Sequence, residues 1–220
     1  MPGVERSAES IFTEIYRERR WGAFESRSGR GSDLPHTQRI RAQLPKLLRE
    51  LKVTSMLDIP CGDFYWLKEV DLGFLAYTGA DIVDEIIVSN RARYATDKRV
   101  FKRLDICLDP LPTVDLVLCR DLFRHLSFED IRSAILNIRR SGSTYLLATS
   151  CVVTNEHADI QTGKGRSVNL LIEPISLPRP LQTVDDSNLD NPSKRLMLFS
   201  VVDLPDERAW PAGDPAERGA

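Results

Sequence analysis

The sequence predicts an α/β protein whose mainly parallel sheet ends in an antiparallel hairpin. Between residues 54 and 150, short apolar runs that are typical of buried strands alternate with helical patterns, which predicts parallel strands with helices on both faces. Residues 181–202 hold two more short apolar runs around a polar turn, the pattern of a terminal β-hairpin. The chain has 220 residues, of which 42% are hydrophobic, enough for one large domain with a buried core.

The N-terminal segment, residues 1–52, predicts two helices joined by a loop. The first helix follows a cap at Ser7 or Ser10. The apolar faces of the two helices are formed by Ile11, Phe12, Ile15 and Tyr16, and by Ile40, Leu44, Leu47, Leu48 and Leu51. The loop between them, residues 21–32, contains three glycines and three serines, which disfavour regular structure. We expect this loop to be a flexible lid at the entrance of a site.

The core of the protein is predicted at residues 53–204. Its parallel strands are predicted at 54–59, 75–81, 99–104, 114–119 and 143–150. Its helices are predicted at 64–70, at 84–94 with a cap at Asp84, and from a cap at Ser127 to a stop at Gly142. Residues 151–180 are predicted to be irregular. Residues 205–220, which are rich in proline, glycine, alanine and charge, predict a flexible tail.

Charge and composition argue against several kinds of partner. Thirty basic and thirty-two acidic residues give a net charge of −2, which does not favour nucleic acid or an anionic membrane. No apolar run reaches the roughly 18 residues of a membrane span, and the N-terminus has no apolar signal core, so we expect a cytoplasmic protein. The four cysteines lie far apart without a CxxC pair, so neither a metal site nor a disulfide framework is expected.

Acidic residues recur where the predicted parallel strands end. Asp58 and Asp63 follow the first strand, Asp81 ends the second, Asp105 follows the third and Asp121 follows the fourth. Ligands of doubly wound sheets bind outside the carboxyl ends of the strands. Because carboxylates accept hydrogen bonds from ribose hydroxyls and from a base amine, the first three strand ends predict a nucleoside cradle. The structural alternatives are a helix cap at Asp58, a turn at Asp81 and a loop acid at Asp105.

The turn after the first strand argues against a dinucleotide. A GxGxxG fingerprint uses its glycines to bring backbone amides close to a pyrophosphate. This turn has the single glycine Gly62, with Asp58 and Asp63 nearby. These acids would repel a diphosphate and favour a cofactor that combines a ribose with a positive centre. A nucleotide-sugar or NAD enzyme on a similar sheet is therefore the weaker alternative.

The segment 56–63 (MLDIPCGD) resembles motif I of the class I S-adenosyl-L-methionine (SAM)-dependent methyltransferases. More specifically, the chain resembles a bacterial branch with the segments WGSxES-SGxGS, DxPCGDFxW, GADIV, CRDxxxHLS and NxDIxxGxxRxxNL. The matching positions run in order between residues 10 and 204: Trp21-Gly22, Glu25-Ser26, Ser28-Gly29, Gly31-Ser32, Asp58, Pro60–Phe64, Trp66, Gly79–Val83, Cys119–Asp121, His125–Ser127, Asn155, Asp159-Ile160, Gly163, Arg166 and Asn169-Leu170. Three departures bear on substrate choice: Arg124 replaces an aliphatic residue, Gly165 an aromatic residue, and Glu173–Ile175 a proline-proline-aromatic run.

The resemblance implies a Rossmann-like class I methyltransferase fold, in which a seven-stranded sheet has an antiparallel last strand. It also implies SAM as the cofactor and S-adenosyl-L-homocysteine (SAH) as its product. In this reading Asp58 or Asp63 holds the amino group, and Asp81 binds the ribose. The full set of implied cofactor-binding residues is Trp21, Ser28, Gly29, Asp58, Pro60, Cys61, Gly62, Asp63, Trp66, Asp81, Ile82, Asp105, Ile106, Cys119 and Arg120.

Methyl transfer requires alignment, exclusion of water and sometimes removal of a proton. His125 is the first candidate base, because its ordinary pKa of about 6.5 suits neutral pH; Asp121 is the second. A purely structural His125 is the alternative. Asn155 and Arg166 are candidates for binding the methyl acceptor, and the segment 155–170 is a candidate second lid.

The function predicted on this basis is methylation of a small-molecule acceptor. The sequence contains neither a basic stripe nor an appended recognition domain. By analogy with the family, we expect O-methylation of a sugar-containing or secondary metabolite, with nitrogen and carboxylate acceptors as alternatives. The other function considered is a non-catalytic SAM-binding or regulatory protein that retains the fold. We expect a monomer or a homodimer.

Overall fold

A computed structural model describes residues 6–22, 25–152 and 158–210 of the chain. Within these ranges, seven strands form one sheet: β1 (Ser55–Asp58), β2 (Ala76–Asp81), β3 (Arg99–Arg103), β4 (Leu116–Cys119), β5 (Tyr145–Cys151), β6 (Gln182–Asp185) and β7 (Lys194–Ser200). The α-helices of the same ranges are α1 (Ala8–Arg17), α2 (Leu34–Glu50), α3 (Asp84–Tyr94) and α4 (Phe128–Arg140). None of these helices is both long and apolar enough to cross a bilayer.

The strands lie in the order β3-β2-β1-β4-β5-β7-β6. Strands β1 to β5 pair in parallel, and β7 pairs antiparallel with both β5 and β6. The predicted parallel sheet with a C-terminal antiparallel hairpin is therefore confirmed. The strand order reverses between β1 and β4, which is where ligands of such sheets bind.

Helices cover both faces of the sheet. Leu57 of β1 and Val117 of β4 belong to one buried cluster, together with residues of α1 and α4. Their neighbours Met56 and Leu116 belong to a second cluster, together with residues of α2. This alternation follows from the two-residue period of a strand. Since both faces are covered, the carboxyl ends of the strands are the open side at which a site can form.

The prediction of a helix at residues 64–70 is wrong. The structure has only a short 3₁₀ turn there, Leu67–Glu69. Phe64 adopts a positive φ of 57°, which an α-helix does not tolerate. Its ring packs against Tyr77, Tyr94 and Phe101, with centroids 5.2–5.4 Å away. Burial of this aromatic residue against distant partners outweighs the local preference for a helix.

Other predicted boundaries need smaller corrections. Ser7 and Ser127 cap α1 and α4 as predicted, because each hydroxyl accepts a hydrogen bond from a backbone N–H of the first turn. Asp84 is the first residue of α3 and not its cap. The predicted flexible tail starts too early, since Trp210 still packs against the core. Residues 211–220 lie outside the described part of the chain.

Candidate active site

A cavity of about 1600 Å³ opens at the carboxyl ends of β1, β2 and β4. Single-ligand pockets usually measure about 300–1,000 Å³, so this cavity has room for two ligands side by side. Most of the site residues predicted from the sequence line it: Trp21, Ser28, Gly29, Asp58, Pro60, Cys61, Gly62, Trp66, Asp81, Ile82, Asp105, Ile106, Arg120, Asp121 and His125.

Three predicted site residues do not line the cavity. Cys119 is fully buried in the core. Arg166 packs its guanidinium over the Phe128 ring and donates to the Leu126 carbonyl, 2.8 Å away. Asp63 bonds to the loop that follows Trp21 instead of facing the cavity. Asn155, also predicted as a site residue, lies outside the described residues.

Asp58, at the end of β1, is a buried carboxyl group with one internal partner. The Tyr77 hydroxyl donates to its Oδ2 atom over 2.7 Å. Burial raises the pKa of Asp58 to about 7, and the charge of Asp81 adds to this, although the Tyr77 hydrogen bond opposes it. Asp58 is therefore positioned to become ionised when a cation approaches. Tyr77 was missed from the sequence because it lies in mid-strand, among residues typical of a core.

Asp81, at the end of β2, fixes the turn that follows β1. Its two carboxylate oxygens accept from the N–H of Gly62 at 3.1 Å and of Val83 at 3.0 Å. Burial raises its pKa to about 6, although these backbone hydrogen bonds oppose the rise. The carboxyl groups of Asp58 and Asp81 thus lie on adjacent strand ends beside one cavity, as the sequence predicted. Because burial favours the neutral form of both carboxyl groups, a cation bound beside them would favour their ionised forms.

The loop predicted as a flexible lid is docked onto the turn after β1. The Asp63 carboxylate accepts from the hydroxyl of Ser26 at 2.9 Å and from the backbone N–H of Arg27 at 2.8 Å. In return, Ser28 accepts from the Asp63 N–H at 2.7 Å. A Cβ atom on Gly62 would come within 2.3 Å of the Ser28 hydroxyl. Glycine is therefore required at position 62 by this close packing and by its positive φ of 51°.

Beneath the docked loop lies a network of buried charges that the sequence did not predict. Arg120 makes a two-pronged contact with Asp186, at 2.9 and 3.1 Å, and donates to the Gly31 carbonyl at 2.9 Å. Lys194 bonds to Asp121 at 2.7 Å and to Asp186 at 3.0 Å. Arg120, Asp186 and Lys194 are 6%, 1% and 1% exposed. The network joins the end of β4 to the β6–β7 hairpin and to the loop.

The β6–β7 topology explains why these residues meet. Because β7 runs antiparallel to β5, its first residue, Lys194, pairs with the last residue of β5, Cys151. The hairpin turn therefore lies at the same sheet edge as the carboxyl ends of the parallel strands. The direction of the predicted hairpin is the signal in the sequence that could have pointed to Asp186 and Lys194.

Asp121 is poorly suited to be a base. Burial raises the pKa of Asp121, but the charges of Lys194 and Arg120 outweigh burial and hold the pKa well below its usual value. The carboxylate therefore stays ionised and has a low affinity for a proton. Its Oδ1 atom is buried and has no hydrogen-bond partner among the described residues, so it can accept from a ligand that enters the cavity.

His125 has the chemistry of a base. Its Nδ1 atom lies 2.8 Å from the Lys164 carbonyl, which can only accept, so Nδ1 carries the proton and Nε2 keeps its lone pair. The ring also packs on Trp21, with centroids 5.1 Å apart. Burial lowers the pKa of His125, and the charge of Arg124 adds to this, although the Lys164 hydrogen bond opposes it. The imidazole is therefore neutral at neutral pH.

Comparison with known proteins identifies the fold. No protein-family model matches the chain, and no curated protein sequence matches it. Magnesium protoporphyrin IX methyltransferase from Synechocystis PCC 6803 with bound SAM aligns with a TM-score of 0.59 and 13% identity, over 90% of this chain and 99% of that one. The N-methyltransferase NodS from Bradyrhizobium japonicum WM9 in complex with SAH aligns with a TM-score of 0.60 and 17% identity, over 86% and 97% of the two chains.

Human N-acetylserotonin methyltransferase in complex with SAM also aligns, with a TM-score of 0.55 and 16% identity, over 88% of this chain and 59% of that one. Identities this low establish similarity of fold and not of substrate. These structural alignments, together with the strand order and the antiparallel β7, show that the chain has the class I methyltransferase fold.

Proposed function

We propose that the chain is a SAM-dependent methyltransferase that acts on a small molecule. The observation that carries the proposal is the pair of buried carboxyl groups, Asp58 and Asp81, on adjacent strand ends beside a cavity of about 1600 Å³. The solved structures of this fold that contain SAM or SAH support it. The motif resemblance supports placement in the bacterial branch described above.

The residues beside the cavity fit this cofactor. SAM carries an ammonium group and a sulfonium, and Asp58 and Asp81 are buried carboxyl groups whose pKa values are raised by burial, so that a bound cation would favour their ionised forms. Asp58 would hold the ammonium group, and Asp81 would accept from the ribose hydroxyls. Ile82 and Ile106 supply apolar surface for the adenine. Gly62 lets Ser28 of the docked loop pack against the turn that borders the cofactor side of the cavity.

The mechanism assigns separate tasks to the residues of the acceptor side. SAM, when bound, would supply an electrophilic methyl group to the acceptor oxygen and leave as SAH. His125 takes the acceptor's hydroxyl proton on Nε2, and its hydrogen bond to the Lys164 carbonyl holds the ring in the required tautomer. Asp121 orients the acceptor through its unpartnered Oδ1 atom. The docked loop, with Trp21 packed on His125, excludes water.

The domain roles and the acceptor class follow from the same proposal. Residues 53–204 bind the cofactor, and residues 1–52 cover it with the helix α1 and the loop 21–32. A neutral histidine that lines the cavity suits a hydroxyl acceptor, which must lose a proton. This supports O-methylation of a sugar-containing or secondary metabolite.

Transfer of a labelled methyl group tests the proposal. The chain is incubated with methyl-labelled SAM and a panel of small hydroxyl compounds, and SAH release is followed. We expect turnover on at least one compound. Tight SAH binding without turnover on any member of a broad panel would instead favour the non-catalytic binding protein.

Asp58→Asn is expected to stabilise the free protein at pH 8 by roughly 2–4 kcal/mol and to leave its stability unchanged near pH 4. The folded-state pKa of about 7 lies above the ordinary aspartate pKa of 3.8. Below about pH 4 the group is protonated in both the folded and the unfolded state, and its burial carries no charge penalty. As the pH rises through 7 the buried group becomes ionised, and this advantage of the protonated form is lost. The amide keeps the acceptor for Tyr77 but never ionises. Urea unfolding at the two pH values checks this.

Binding provides the second readout for the same variant. Asp58→Asn should bind SAH at least about tenfold more weakly than the wild type at pH 8, because it lacks the carboxylate that pairs with the ammonium group. Tyr77→Phe, which keeps the carboxyl, is the matched control and should keep the pH-dependent loss of stability. Identical pH profiles for Asp58→Asn and the wild type would contradict the assigned role of Asp58.

A further inference from the structure

The basic residues that line the cavity differ in whether a nearby carboxylate balances their charge. Among the cavity-lining cations, five have a carboxylate within 4 Å: Arg6 and Arg20 with Glu14, Arg30 with Asp190, Arg103 with Glu9, and Arg120 with Asp186. In the part of the chain that the structure describes, the other two cavity-lining cations, Arg124 and Lys164, have no such partner. Among the described residues, these two positive charges of the cavity therefore lack an ion-pair partner.

The Arg124 side chain also leaves a hydrogen-bond donor unused. Its Nε atom is buried and finds no acceptor among the described residues. An unsatisfied buried donor destabilises the protein, and a charged one does so more strongly. Asp121, the nearest candidate partner in the sequence, already bonds to Lys194 at 2.7 Å and lies 3.3 Å from Arg120. Among the described residues, the Nε–H of Arg124 is therefore available to a ligand.

The two free cations flank the candidate base. Arg124 precedes His125 in the short 3₁₀ turn Phe123–His125. The backbone of this turn is bonded to the segment that contains Lys164, through Gly163 N–H to the His125 carbonyl at 2.8 Å and Arg166 N–H to the Arg124 carbonyl at 3.0 Å. The positive charge of Arg124 lowers the pKa of both His125 and Asp121. These backbone bonds hold Arg124 and Lys164 beside His125, on the proposed acceptor side of the cavity.

We infer that Arg124 binds an oxyanion group of the methyl acceptor, so that the substrate is a hydroxyl compound that also carries a carboxylate or phosphoryl group. This inference rests on the proposed function and names its substrate class. A planar guanidinium matches both oxyanions with two parallel hydrogen bonds. The acceptor hydroxyl then lies between His125 Nε2, which takes its proton, and the free Oδ1 atom of Asp121. Lys164 adds positive charge at the exposed rim.

Matched pairs of probes test the inference by calorimetry on the SAH complex of the full chain. The anionic probes are 4-hydroxybenzoate and glucose 6-phosphate, and their neutral partners are 4-hydroxybenzamide and glucose. We expect at least one anionic probe to bind about tenfold or more tightly than its partner. The two pairs distinguish a carboxylate from a phosphoryl source. The inference would be overturned if each neutral compound bound as tightly as its anionic partner, or if neither anionic probe bound.

Substitutions of Arg124 supply the decisive comparison. Arg124→Leu should weaken the anionic probe by about 10–100-fold and leave the neutral partner unchanged, and Arg124→Lys should restore part of the loss. Arg140→Leu is the matched control, because it removes an equal charge from an exposed site paired with Glu207. Unchanged anion binding in Arg124→Leu would contradict the inference, and circular dichroism verifies that the variants fold.

The SAH titration separates this inference from the proposed function. The variants at position 124 should bind SAH within about threefold of the wild type. A loss of tenfold or more would assign Arg124 to the cofactor carboxylate and overturn the inference, while the proposed function stands. Failure of the wild type itself to bind SAH would refute the proposed function, whatever the probes do.

Discussion

Asp186→Ala is expected to lower the free energy of unfolding by about 3–5 kcal/mol, the largest stability effect that the structure predicts. Asp186 is 1% exposed and neutralises two buried cations, Arg120 and Lys194, at 2.9 and 3.0 Å. Removal of its carboxylate leaves those cations with Asp121 alone. The cost of burying an uncompensated charge greatly exceeds the value of any surface ion pair. Urea unfolding at neutral pH measures the loss.

The neighbouring Asp185 is a matched control for this variant. Asp185 forms ion pairs with Arg39 and Arg195, but a third of its side chain is exposed to solvent, which screens the charges. Asp185→Ala should therefore cost about 1 kcal/mol or less. Equal losses for the two variants would show that the buried network contributes no more than a surface ion pair. Because Arg120 also holds the Gly31 carbonyl, Asp186→Ala should in addition weaken SAH binding.

His125→Asn is expected to lower kcat by about 10²–10⁴-fold with the best hydroxyl acceptor. The asparagine amide can replace Nδ1 as donor to the Lys164 carbonyl, but it offers no basic nitrogen in place of Nε2. The wild-type rate should rise as the pH passes through the lowered pKa of His125 and should be flat by neutral pH. This rise should be absent in the variant. Steady-state rates between pH 5 and 9 provide the measurement.

A structural role for His125 would give a different pattern. Loss of a merely structural contact would weaken SAH binding or folding and leave the pH profile in place, whereas loss of a base leaves SAH affinity within about threefold. His36→Asn is the matched control, since His36 lies outside the cavity and bonds to Asp190. An unchanged kcat in His125→Asn across the pH range would remove His125 from the mechanism.

The sheet could be predicted from the sequence because the apolar pattern of each buried strand lies within a few consecutive residues. Runs such as 116–119 (LVLC) are apolar over their whole length, and turn residues bound them. The segment after β1 could not be predicted in the same way. The positive φ of Phe64 depends on an aromatic cluster formed with Tyr77 and Phe101, which come from other strands. Local helix propensity contains no information about such a cluster.

The acidic strand ends could be predicted because topology alone determines their place. Parallel strands bring their carboxyl ends to one edge, so Asp58 and Asp81 had to lie close together. The network of Arg120, Asp186 and Lys194 depends instead on side chains about 70 residues apart in sequence. Lys194 begins an apolar strand, where a lysine suggests exposure, and only the antiparallel register of β7 places it in the site.

Calorimetric titration of the wild-type chain with SAH, with NAD⁺ as the comparison ligand, tests the central claim most directly. The claim is that carboxyl groups on adjacent strand ends form a pocket for the ribose and the ammonium group that SAM and SAH share. We predict that SAH binds with a Kd on the order of micromolar and that NAD⁺ gives no measurable heat. Absence of SAH binding at millimolar concentration, or tighter binding of NAD⁺, would contradict the claim.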